Sequence, residues 1–282
     1  MSAPALPALS SPDAYSAIVA TLRAAGCVFA EDEANLLISA AACAAELAAM
    51  VQRRVAGLPL EHVVGWAEFC GLRIAVEPGV FVPRRRTEFL ARQAAESARP
   101  GAVVVDLCCG SGAVAAVLAA TVDGIELHAA DIDPAAVRCA RRNLTATDHI
   151  TGHITGHVYE GDLFAPLPNT LRGRVDVLVA NAPYVPTDEV SLLPAEARDH
   201  EPRVALDGGR DGLDILRRVA AAAPQWLTPG GRLLVESSER QAPEIVAVMS
   251  SSGLSPHLAT CDDLYATVVV GTLPDRRALH DC

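Results

Sequence analysis

VVVDLCCGSGAVAAVLAA, residues 103–120, passes from a β-branched run through a tight glycine turn into an alanine-rich helical stretch. Asp106 stands at the end of the run, and Gly110 and Gly112 sit in the turn. Glycines there let the backbone approach a ligand at a helix N-terminus. A lone G-x-G is weak evidence, and the full dinucleotide fingerprint fails, because Ala115 occupies the place of its third glycine. The same alternation continues on both sides. Strands are expected near 102–107, 126–131, 157–160, 175–181, 231–237 and 265–271, with helices near 111–121, 134–146, 211–227 and 241–252. Apolar strands alternating with helices give an α/β fold with a doubly wound sheet covered on both faces.

Several of these strands end in a polar group. About twenty residues after the first turn, ELHAADIDP closes a strand on Asp131, where doubly wound folds place a carboxylate against ribose hydroxyls. The next strand runs into YEGDLF and delivers Asp162 and Leu163, an acceptor for an amino group and an apolar cover for a ring. Taken singly, each aspartate could be a cap or turn residue. Three in succession at one sheet edge point to a nucleoside ligand. The fourth strand ends VLVANAPYVP. Here the Asn181 side chain and the Ala182 carbonyl can accept from a planar N–H donor, Pro183 turns the chain, and Tyr184 can stack on the donor.

Toward the N-terminus the pattern changes. Ser11-Pro12-Asp13 caps a helix over about 12–25, and Glu31-Asp32-Glu33 opens a second that runs past Arg53-Arg54 to the stop signals Gly57 and Pro59. Short β-type runs over 63–82, punctuated by Gly65, Gly71 and Pro78-Gly79, form a hairpin-like connector. The expected organisation is a helical unit over 1–62 that lids the substrate side, a connector over 63–86, and an α/β domain over 87–282. Tyr15 and Glu31 in the helical unit, and Glu201 after the acceptor strand, are further candidates for touching a substrate.

Composition narrows the function. With 34 acidic and 23 basic residues the net charge is −11, which opposes general binding to a nucleic-acid backbone. No apolar run reaches the length of a membrane span. Eight scattered cysteines without a C-x-x-C pair suit a reducing cytoplasm. One repeat, HITGHITGH over 149–157, spaces three histidines four apart. A metal site there is the less favoured reading, since glycine and β-branched residues oppose a helix, and a duplicated surface loop is preferred.

Together with RRVAGLPLEHVVGWAEFCGL, GVFVPRRRTEFL, HEPRVALDGGRDGLDILRR and GGRLLVE, these motifs resemble the HemK-type protein-(glutamine-N5) methyltransferases over about residues 55–273. The resemblance implies a seven-stranded, Rossmann-like class I methyltransferase sheet behind a small helical domain, with S-adenosylmethionine as cofactor. It also implies residue roles. Asp106 and the turn Cys108, Cys109, Gly110, Ser111 and Gly112 would hold the methionine part; Asp131 with Ile132 the ribose; Asp162 and Leu163 the adenine. Asn181, bordering the cofactor, would position the methyl acceptor with Ala182, Pro183 and Tyr184, and Asn181 and Tyr184 would carry the catalysis.

The chain departs from the family pattern at three places. Ala182 replaces the first proline of N-P-P-Y, Cys108-Cys109 replace the usual turn residues, and Arg84-Arg85-Arg86 replace R-P-D. Loss of a proline ring implies a wider, less rigid acceptor wall. The preferred expectation is therefore methylation, at N or C, of a planar N–H-bearing small molecule such as an indole-type heteroaromatic of specialised metabolism. A protein-glutamine acceptor, as in a release factor, and a noncatalytic cofactor-binding module are the alternatives.

Overall fold

The structure is a computed structural model that describes residues 12–145 and 155–275. It opens with four helices, α1 (Pro12–Ala24), α2 (Ala30–Ala40), α3 (Ala44–Val55) and α4 (Leu60–Val64). Leu22, Leu37, Met50 and Val63 close a small core of their own. The single long helix expected after Glu31 is interrupted at residues 41–43, where no glycine or proline announces a break. The Glu46 carboxylate accepts the Ala42 N–H at 2.7 Å, satisfying an amide that the helix end leaves free. The break turns Leu47 and Met50 toward Leu37 and brings Arg54 onto Glu33. The guanidinium donates through Nε and Nη2 to the two Glu33 oxygens at 2.6 and 3.0 Å, and through Nη1 to Glu196 at 2.6 Å. Burial is tolerable for such a pair only because each charge meets its partner in a forked geometry.

The connector is a true hairpin. Strands β1 (Trp66–Phe69) and β2 (Leu72–Ala75) pair antiparallel around Cys70-Gly71. Both turn residues are left-handed, with φ of 50° and 77°, as a two-residue type I′ turn requires. The hairpin packs Phe69 and Ile74 into the main-domain core, and two α7 side chains, Cys139 and Asn143, bond to its Ala75. Asn143 accepts the Ala75 N–H at 2.9 Å, donates to the Ala75 carbonyl at 2.9 Å, and donates again to the Ser111 carbonyl at 2.8 Å.

The main domain contains α5 (Thr87–Ser97), β3 (Val103–Leu107), α6 (Ala113–Thr121), β4 (Glu126–Asp131), α7 (Pro134–Thr145), β5 (Thr155–Glu160) and β6 (Val175–Ala180). It continues through α8 (Ala195–His200), α9 (Asp214–Ala222), β7 (Leu227–Ser237), α10 (Ala242–Ser251), β8 (Ser255–Cys261) and β9 (Ala266–Thr272). Seven strands form one sheet in the order β5-β4-β3-β6-β7-β9-β8, with β9 antiparallel to both of its neighbours. This is the seven-stranded sheet that the resemblance implies. The hydropathy pattern alone missed β8, an edge strand whose Pro256 and largely exposed residues lack an apolar run.

Alternating residues separate the two core layers. Val104, Val177, Val179 and Leu234 face α5 and α6, while Val105, Leu178, Leu233 and Val235 face the other way with Leu216 and Ile245. Helix α6 is buried along most of its length, and its small residues suit a helix wedged between the sheet and its neighbours. Gly112 at its head lies so near α7 that a Cβ would stand 3.0 Å from the Ala140 Cβ.

Among the described residues no helix is long and apolar enough to cross a membrane, and no His/Cys/Asp/Glu group could hold a metal. His149 and His153 of the repeat lie outside the described residues. His157 is on β5, stacked on His128 with ring centroids 5.3 Å apart.

Candidate active site

Strand order reverses between β3 and β6, and in open α/β sheets the crevice beyond such a switch point is where ligands bind. A cavity of about 940 Å³ opens there. On the β3 side Cys108 and Gly110 both take φ of 55°, which folds the turn back beneath the cavity. Burial pushes both cysteine thiols up, which keeps them neutral. The Asp106 carboxylate is 2% exposed and its Oδ2 has no partner. Burial, helped by Asp131, raises Asp106 to about 7.

Asp131 is held from two directions, accepting from Gly110 N–H at 2.8 Å and from Asp133 N–H at 2.9 Å. Burial raises this acid too, against those two hydrogen bonds. Asp162 pairs with Arg218 at 2.5 Å, and both line the cavity. One Asp162 oxygen is thus already engaged by a cation that the sequence reading did not anticipate. Leu163, 9% exposed with φ of 49°, lines the same end.

These residues fit S-adenosylmethionine. An unpaired buried carboxylate suits a cationic methionine portion, an acid anchored by two amides is preorganised toward a diol, and an apolar wall suits a base.

The β6 side supplies the other wall. Asn181, Ala182, Pro183 and Tyr184 all line the cavity, and among the described residues the Asn181 side chain makes no hydrogen bond. The loose wall expected from Ala182 is not observed. Val185 N–H donates to Leu206 O at 3.0 Å, Gly208 N–H to Val185 O at 2.9 Å, and Gln241 Nε2 to Tyr184 O at 2.9 Å. Close approach makes two glycines necessary. A Cβ on Gly208 would lie 2.5 Å from Pro183 O, and one on Gly212 2.2 Å from Tyr184 O. The Tyr184 hydroxyl contacts Arg86 and donates to Glu236 at 3.4 Å. Burial first, then Glu236, pushes Tyr184 up to about 12. Glu201 also lines the cavity, accepting from Val82 N–H at 3.1 Å and from Arg84 at 2.5 Å, and burial raises it against the pull of Arg84.

Three expected site residues lie off the cavity wall. Gly112 serves the α6–α7 approach instead. Tyr15 packs on the helical unit's own core, and exposed Glu31 is paired with Arg23. The helical unit meets the cavity through Pro59 and, by way of Arg54, through Glu196 on α8.

The "Methyltransferase small domain" family matches residues 71–197. A release factor glutamine methyltransferase of Geobacter sulfurreducens is 40% identical over 211 residues, covering 74% of this chain and 72% of that protein. The chain belongs to the HemK methyltransferase family. A second relative, the 4-amino-L-phenylalanine/4-methylamino-L-phenylalanine methyltransferase of Streptomyces pristinaespiralis, is 34% identical and covers 78% of this chain and 75% of that protein. A methyltransferase structure from Pyrococcus furiosus shares the fold, with a TM-score of 0.54 at 16% identity, over 81% of this chain and 98% of that one. This HemK-family chain is an S-adenosylmethionine-dependent methyltransferase. The indole-type preference drawn from Ala182 is not supported, because the release factor relative is the more similar and the wall around Ala182 is braced.

Proposed function

We propose that this enzyme methylates the side-chain amide nitrogen of a glutamine in a protein acceptor of the release factor class. One observation carries the reading. At the switch point the β6 end presents the Asn181 amide and the Ala182 backbone, beside the Asp106 turn in one cavity, within a chain 40% identical to a release factor glutamine methyltransferase. Asn181 Oδ1 and the Ala182 carbonyl accept the two N–H groups of a primary amide, which holds its nitrogen flat and limits its rotation. Tyr184 covers the amide plane and keeps water out. When bound, S-adenosylmethionine would supply an electrophilic methyl for the acceptor nitrogen, leaving as the neutral thioether, and the proton that the nitrogen gives up would pass to solvent once the product leaves the pocket. Asp162 and Leu163 frame the base, Asp131 and Ile132 the ribose, and Asp106 with residues 108–111 the methionine end. Free cysteines throughout the described residues are in keeping with a cytoplasmic enzyme.

A second reading is an arylamine acceptor, favoured by the Streptomyces pristinaespiralis relative, since an aromatic amine also offers two N–H groups. Incubation with methyl-labelled S-adenosylmethionine, a purified release factor and 4-aminophenylalanine separates the two. Label on a release factor glutamine is expected. Label on the arylamine alone transfers the assignment, and turnover of neither overturns both acceptor readings.

A further inference from the structure

Arg86 stands where the HemK pattern has an aspartate, immediately before α5. Its Nε donates to Glu236 Oε1 at 3.1 Å, its Nη2 meets the Tyr184 hydroxyl, and its guanidinium carbon lies 5.8 Å from the centroid of the Tyr184 ring. The Glu236 side chain is 2% exposed, and its Oε2 has no partner. An acid at 86 would face this buried carboxylate with like charge, so the contact depends on the arginine. Strand register pairs Ala180 with Val235, which carries Glu236 alongside Asn181 one residue further on.

The opposite end of Tyr184 is fixed by Gln241 on its carbonyl and by Gly212 packed beneath it. A proline at 182 would restrict the chain through its own fixed φ, and alanine does not. The brace on the Tyr184 carbonyl holds the main chain, so the tilt of the ring depends on what holds its hydroxyl.

We propose that Arg86, anchored by Glu236, is a positioning residue that sets the Tyr184 ring against the methyl acceptor, supplying from the hydroxyl end the rigidity that a second proline would supply from the backbone. This rests on the reading of Tyr184 as part of the acceptor wall, but not on which acceptor is used. Arg86 acts through Tyr184, and the cofactor end of the cavity is independent of it.

The test uses the full-length enzyme and the variants Arg86→Met, Arg86→Lys and Glu236→Gln, each also made with Ala182→Pro. Three quantities are read: S-adenosylmethionine affinity by calorimetry, kcat and KM with a purified release factor or with 4-aminophenylalanine, whichever accepts label, and the 13Cζ resonance of Tyr184, assigned with Tyr184→Phe. Arg86→Met is expected to lower kcat by about tenfold or more and to shift the Tyr184 resonance, with cofactor affinity within about twofold. Arg86→Lys recovers part of the loss, and the loss shrinks to less than about threefold when Ala182→Pro is present. Three outcomes overturn the proposal: unchanged kcat with an unmoved Tyr184 resonance, an equal loss of cofactor affinity, or a penalty of the same size with alanine and with proline at 182. If neither acceptor takes label from the unmutated enzyme, the acceptor reading fails, and the resonance and calorimetry still decide the role of Arg86.

Discussion

The two halves of the cavity are built differently. On the β3–β4–β5 side nearly every group lies within a few residues of a strand end, and Asp131 is oriented by the turns next to it, from Gly110 and Asp133; Arg218, reaching Asp162 across 56 positions, is the exception. On the β6–β7 side the wall is assembled from distant segments: Arg86 reaches Tyr184 across 98 positions and Glu236 across 150, while Gln241 reaches Tyr184 across 57. A cofactor that stays the same can be held by strand-end chemistry that the fold repeats. An acceptor that differs between relatives is bounded by parts that can change independently.

That division can be broken experimentally. The largest effect expected is from Asp131→Ala, which removes the acid that two amides preorganise; S-adenosylmethionine affinity should fall by about 10²-fold or more, and unchanged calorimetry would remove Asp131 from the cofactor half. Asn181→Ala should do the reverse, lowering kcat by about 10²-fold while cofactor affinity holds, as single-turnover kinetics beside calorimetry will show. If the cofactor were lost as well, the two halves would not be separate.

Gly212→Ala probes the bracing of the acceptor wall. A Cβ at φ of 80° would press on the Tyr184 carbonyl and on Gln241, so a stability loss of about 1–3 kcal/mol in denaturant melts and about a tenfold drop in turnover are expected, with cofactor affinity less affected. Retention of both would show that the wall does not need its brace.

The smallest effect concerns pH. Burial raises Asp106 from 3.8 to about 7. For the free protein, the stability that comes from its protonated form is fully present below about pH 4 and is lost as pH rises through about 7. A cationic cofactor favours the ionised carboxylate, so affinity should rise between pH 6 and 8 by at most about tenfold and then level off. Asp106→Asn should flatten that rise, and a persistent slope would assign it to another group.

Much of this was legible in the sequence, for physical reasons that also mark the limit. Asp106, Asp131, Asp162 and Asn181 each close or closely follow an apolar run, so finding the strand finds the residue. The helices α6 and α7 announce themselves by a glycine turn and by Asp133-Pro134. The break between α2 and α3 has no local signature, because it is set by the packing of Leu47 and Met50 and by the Arg54–Glu33 pair. Glu31 has an acid's ordinary place at a helix start, where it pairs with Arg23. Arg86, Arg218 and Glu236 are charged residues whose partners lie far along the chain, and only the fold brings them together. Ala182 misled most. Its missing ring suggested a slack wall, yet the backbone there is braced by Gly208, Gly212 and Gln241, whose purpose no neighbouring residue discloses.

Asn143 has a consequence for how such a protein can be recombined. One amide grips both the hairpin at Ala75 and the glycine turn at Ser111. The hairpin therefore belongs with the catalytic half as a unit of inheritance, although it precedes that half in the chain. A foreign helical head could be grafted at Gly65, where the left-handed residue after α4 already marks a seam, provided the graft reproduces the Arg54–Glu196 pair and the buried contact of His62 with the Val80 carbonyl. A cut after β2 would take away the peptide that the amide was shaped to hold.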